Sequence, residues 1–163
     1  MARRRPSQAT DPAAEARKAG ITHLSGHPLF RPLLTGLYLQ AAKGQSVCPA
    51  SGWAVITGGR SIDLHPTRRG SPAEWTWVLA HCLVHFGFGH VDPGPGSGRI
   101  DRAYNVAACL AVNRFLLTLK IGRAPDGVVP DPAFRRGWAR RSCRPVRTAL
   151  SLPCCAATKY RTT

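Results

Sequence analysis

Three histidines fall within ten residues, in the run His81-Cys82-Leu83-Val84-His85-Phe86-Gly87-Phe88-Gly89-His90. On a helix, residues four apart project from one face, a turn above one another. His81 and His85 therefore present two imidazoles to one point, the arrangement by which a helix offers a zinc ion two nitrogen ligands. His90 follows two glycines that let the chain turn back, and it is placed to supply a third ligand. A second polar series, Asp101, Asn105, Cys109 and Asn113, repeats every four residues through an otherwise apolar segment. Buried amides without partners cost a few kcal/mol, so this stripe is expected to face the histidines or solvent. Cysteine is usually buried and is a zinc ligand in its own right, which makes Cys109 the candidate for the fourth position. Cys48 and His65 read as structural or incidental, and His23 and His27 belong to the approach loop, where His27-Pro28 starts a helix.

The elements that must position these residues follow from pattern. Ser71-Pro72-Ala73-Glu74 is a helix start, with Ser71 capping, Pro72 at the first helical position and Glu74 completing a capping box. The helix runs from about 72 to 88. A second apolar helix spans about 100 to 119, beyond the breaker Asp92-Pro-Gly-Pro-Gly-Ser-Gly98. Trp53–Thr57 and Arg60–Leu64, joined by Gly58-Gly59, read as a β-hairpin, because two-residue hairpin turns need positive φ. Leu29, Leu33 and Leu37 predict a helix from about residue 28 to Ala42, with Pro32 in its opening turns. Residues 1–20 lack apolar periodicity and read as a mobile arm. The expected organisation is an arm at 1–20, one domain at 21–134 and a basic tail of low order at 135–163.

The chain has 163 residues and a formal charge of +15. High basicity suggests nucleic acid as a partner. The charge is unevenly placed, however: +3 in residues 1–20, +4 in 21–134 and +8 in 135–163. The region expected to fold is only mildly basic, and it carries no helix-turn-helix, zinc-finger or RNA-recognition motif. A nucleic-acid binder driven by the tail is thus the weaker alternative. The tail has no acidic residue and no core face. A one-base shift in a GC-rich reading frame would produce such a tract, as an alternative to a genuine tail. No apolar stretch reaches the roughly 18 residues of a membrane helix, and no h-region follows the N-terminal arginines. The expectation is a cytoplasmic protein with six reduced cysteines and no disulfide framework.

The run from Glu74 to His90, followed by Tyr104-Asn-Val-Ala-Ala-Cys-Leu-Ala-Val-Asn113, resembles a bacterial metallopeptidase domain of unknown function that commonly precedes a von Willebrand A-like domain. That family's pattern is His-Glu-x-x-His, a further His five residues on, then an Asn-x-Ala-Ala-Asp-x-x-x-Asn helix. His27-Pro-Leu-Phe30 and Ser61-Ile-Asp-Leu-His-Pro66 also fit, so the resemblance covers about residues 20–134. It implies an α+β, zincin-like single domain, its hairpin packed near two central helices between disordered basic ends. It also implies a zinc cofactor, a peptide or protein substrate, and work beside an AAA-type ATPase and a von Willebrand A-like protein. Two positions depart from the pattern. Cys82 stands where the family has its general-base Glu, and Cys109 stands where it has Asp. A lost general base typically lowers a rate by about 10²–10⁴-fold. The implied function is a zinc metallopeptidase-like domain with impaired catalysis, its metal held by His81, His85, His90 and Cys109. The alternative is a non-catalytic zinc-binding interaction domain. Glu74, about 10 Å back along the helix, is too far to replace the base, which leaves Asp92 and Asp101 as candidates.

Overall fold

The computed structural model describes residues 11–41, 48–57, 60–91, 102–126 and 128. Helix α1 (Pro12–Ser25) opens on Asp11, whose carboxylate accepts from the Ala13 N–H at 3.0 Å, with Pro12 in the first turn. Half of the expected mobile arm is therefore ordered helix, while residues 1–10 and the basic tail lie outside the described residues. Large apolar side chains are scarce in this segment because α1 packs with small ones. Ala13, Ala16 and Gly20 are buried, together with Leu24. A Cβ at Gly20 would stand 2.9 Å from the Thr76 backbone nitrogen, so the absent side chain sets how closely α1 approaches its neighbour.

Helix α2 (Phe30–Leu34) is five residues long, much shorter than the expected run to Ala42. Thr35 leaves the helical region and Gly36 adopts φ +80, which ends the helix despite the continuing leucine spacing. The chain then forms β1 (Tyr38–Gln40), followed by β2 (Ala54–Thr57) and β3 (Ser61–Leu64). The sheet order is β1-β3-β2. β2 and β3 are the expected antiparallel pair, with Ile56 opposite Ile62, while β1 lies parallel to β3 with Leu39 beside Ile62. Gly58 and Gly59 lie outside the described residues.

Helix α3 (Pro72–Gly87) forms at the expected position, and its capping box is complete. Ser71 Oγ accepts from the Glu74 N–H at 3.2 Å, and Glu74 Oε2 accepts from the Ser71 N–H at 2.8 Å. Every residue from Trp75 to His85 is buried. A helix apolar on all sides belongs in the centre of its domain, and α1, α2, the sheet and α4 all pack on α3. Helix α4 (Arg102–Leu119) turns Ala108, Cys109, Val112, Asn113 and Leu116 inward. Beyond it, Gly122 (φ +61) presses on the first turns of α3. A Cβ there would fall 2.6 Å from Ala73 O and 2.7 Å from Trp77 N, and the neighbouring Arg123 N–H donates to Ala73 O at 3.0 Å. The architecture is a small α+β domain built around one buried helix. Among the described residues, no helix is long and apolar enough to cross a membrane.

Candidate metal centre

The helical spacing brings the His81 and His85 rings together at the C-terminal half of α3, with Nε2 facing Nε2 at 3.0 Å. From α4, Cys109 Sγ lies 3.5 Å from His85 Nε2. One ligand atom from each residue falls within 4.8 Å of the other two, and all three residues are about 2% exposed. Tetrahedral zinc, with bonds of about 2.0–2.1 Å to nitrogen and 2.3 Å to sulfur, sets two nitrogens about 3.3 Å apart and nitrogen and sulfur about 3.6 Å apart. The side chains therefore stand close to the spacing of a shared metal ion, and this cluster can hold one.

Burial keeps the imidazoles neutral, the form that offers a lone pair to a metal. It pushes His81 well below the ordinary histidine range, aided by His85 and opposed by the nearby Asn113 amide. Burial, with a lesser contribution from His90, lowers His85 from 6.5 to about 4. His90 is also lowered by burial.

His90 itself stands at the edge of this group. Its N–H donates to His85 O at 2.9 Å, and its ring meets that of His85 edge-on with centroids 5.1 Å apart. It does not join His81, His85 and Cys109 within 4.8 Å. Its Nδ1 is buried with no hydrogen-bond partner. Cys82 is fully buried, yet it too stands outside the cluster, as its position about 100° round the helix from His81 requires. Asn105 is half-buried and Asn113 fully buried, so the inner part of the polar stripe turns toward α3, away from solvent.

Among the described residues, no carboxylate joins the cluster. Glu74 is engaged in the capping box at the opposite end of α3, and Asp92 and Asp101 lie outside the described residues. Asp63, a buried carboxylate of β3, is not in the group either. His27 and His65 use Nδ1 to accept from the Leu29 and Thr67 N–H groups, which fits their structural reading. His23 is exposed. Sequence reasoning missed Trp77, whose ring packs on His81 with centroids 5.1 Å apart. The signal was its position four residues before His81 on the same helix.

Cys109 departs from the expected reduced state: it is disulfide-bonded, whereas Cys48 and Cys82 are not. A metal ligand must be the thiolate, so the bridged form and a Cys109-ligated metal exclude one another. Comparison with known proteins leaves the site to stand on its own geometry: no family model, curated protein or solved structure matches the chain.

Proposed function

We propose that this domain binds zinc through His81, His85 and Cys109, and that it is a metallopeptidase-like domain with impaired hydrolysis. The observation that carries the reading is the convergence of two neutral, buried imidazoles and a cysteine sulfur on one point, with no carboxylate among the described residues in the group. Two nitrogens and a sulfur are a donor set that suits zinc, and a four-coordinate ion closed by protein ligands is structural rather than catalytic. His90, in ring contact with His85, is the fourth donor. Zinc in a peptidase polarises the substrate carbonyl and activates water. Cys82 stands where the resemblance puts the base that takes the proton, and no carboxylate among the described residues joins the cluster. The reading as a non-catalytic zinc-binding interaction domain rests on the same cluster. The peptide substrate, the von Willebrand A-like protein and the AAA-type ATPase belong to the resemblance in Tyr104–Asn113 and the histidine run.

The test is zinc stoichiometry on the full chain held reduced, together with a peptidase assay of wild type and Cys82→Glu. One zinc per chain is expected, lost in His85→Ala. Free zinc at a thousand times its Kd should stabilise the fold by about 4 kcal/mol, read from urea unfolding with and without chelator. Activity that appears only in Cys82→Glu would support a degenerate enzyme. A reduced wild-type chain that takes up no zinc overturns the metal reading. Full activity in wild type overturns the impairment.

A further inference from the structure

Besides His90 Nδ1, three buried polar atoms near the cluster have no hydrogen-bond partner among the described residues: His81 Nδ1 and both the Oδ1 and Nδ2 of Asn113. Buried polar groups are nearly always paired, so orphans gathered in one place call for an explanation. Helix geometry puts these two side chains at the same level. Cys109 of α4 meets His85 of α3. One turn onward along α4 is Asn113, and one turn back along α3 is His81, so an antiparallel pair of helices sets the second contact beside the first. Both residues are almost fully buried, at 3% and 2% exposure.

A ligating histidine normally donates its other ring N–H to a fixed acceptor, which sets the tautomer and holds the ring plane. His81 directs Nε2 at His85 and the shared point, so Nδ1 is the nitrogen left to be fixed. An amide oxygen is the acceptor that this N–H needs.

We propose that Asn113 is the positioning residue of the centre, its Oδ1 accepting the His81 Nδ1 proton so that Nε2 keeps its lone pair for the metal. The ligand set thus extends one turn along α4. Cys109 supplies an electron pair, and Asn113 supplies orientation. This deepens the zinc reading and rests on it for its purpose, although the tautomer itself can be seen without metal.

Two measurements on the full, reduced chain test it. Long-range proton–nitrogen correlation spectra of the metal-free protein report which ring nitrogen of His81 carries the proton. Wild type is expected to hold it on Nδ1. Asn113→Asp, which keeps an acceptor, should retain that state, whereas Asn113→Leu should move the proton toward Nε2. Zinc affinity, measured by competition with a chromophoric chelator, should fall about 10–100-fold in Asn113→Leu and be kept in Asn113→Asp. A wild-type His81 protonated on Nε2 overturns the assignment, with or without a foldable variant. So does a folded Asn113→Leu with unchanged zinc affinity. Wild type that binds no zinc but holds the proton on Nδ1 would defeat the zinc reading and leave the role of Asn113 standing.

Discussion

Both halves of α3 are largely buried, but they are made differently. The N-terminal half is fixed by packing. Its capping box is complete, Gly20 of α1 lies against the Thr76 backbone, and Gly122 lies against Ala73 and Trp77. Trp75 fills the centre, with Trp53 edge-on at 5.1 Å and the Arg17 guanidinium over its ring. Thr76 Oγ donates to Pro72 O at 2.8 Å, and Arg17 donates to the His65 and Pro66 carbonyls. Among the described residues, the Trp75 Nε1 is the one orphan in that half. The C-terminal half instead buries two histidines opposite Cys109 and Asn113, and the orphaned nitrogens of His81 and His90 lie there with the Asn113 amide. One half of the helix is held by packing, and the other gathers buried polar groups around one point.

The contrast should show first as a difference in stability. Trp75→Ala empties the centre of the packed half and should cost about 3–5 kcal/mol in urea unfolding. A cost below about 1 kcal/mol would erase the distinction between the halves. Acid should act on the other half. An unfolded chain, with ordinary histidines, takes up protons before the folded one as pH falls below 6.5. The metal-free fold therefore keeps its full stability above that pH and loses it down to about 4, where His85 finally titrates. His85 alone accounts for about 3 kcal/mol of this loss, and His81 adds to it in the same direction. Unfolding free energies between pH 7 and 4 check the slope, and a flat profile would contradict the burial of neutral rings. The smallest effect is the sharpest test. His81→Leu should abolish zinc binding and cost the metal-free fold about 1–2 kcal/mol, since it removes one buried polar group but leaves the Asn113 amide without its partner. A loss as large as that of Trp75→Ala would show that the histidines are structural after all.

Much of this arrangement is legible in the residues, where local chemistry sets local form. Ser71-Pro72-Ala73-Glu74 announces α3, the paired β-rich runs announce β2 and β3, and the four-residue spacing places Cys109 and Asn113 on the inward face of α4. What is hidden depends on long-range fit. The α1 segment buries alanine and glycine, so its sequence carries no apolar stripe, although Asp11-Pro12 offered the same cap-and-proline start as Ser71-Pro72. The β1 strand follows a leucine spacing that suits a helix. It pairs with β3, more than twenty residues away, and only Gly36 marks the change. For the cluster, His81 and His85 follow from helical geometry alone. The position of His90 depends on a turn whose path a spacing rule does not contain.

The contact at Gly122 has a mechanical consequence. Backbone against backbone, it fastens the end of α4 to the start of α3, a join with no side chain to rotate away. The opposite end of α4 meets its neighbour through side chains, with Tyr104 edge-on to the His90 ring at 6.1 Å and Cys109 against His85. The two ends of the helix are thus held in different ways. A change near Cys109 acts on side chains at the centre, whereas a side chain at position 122 would strike the backbone that joins the two helices.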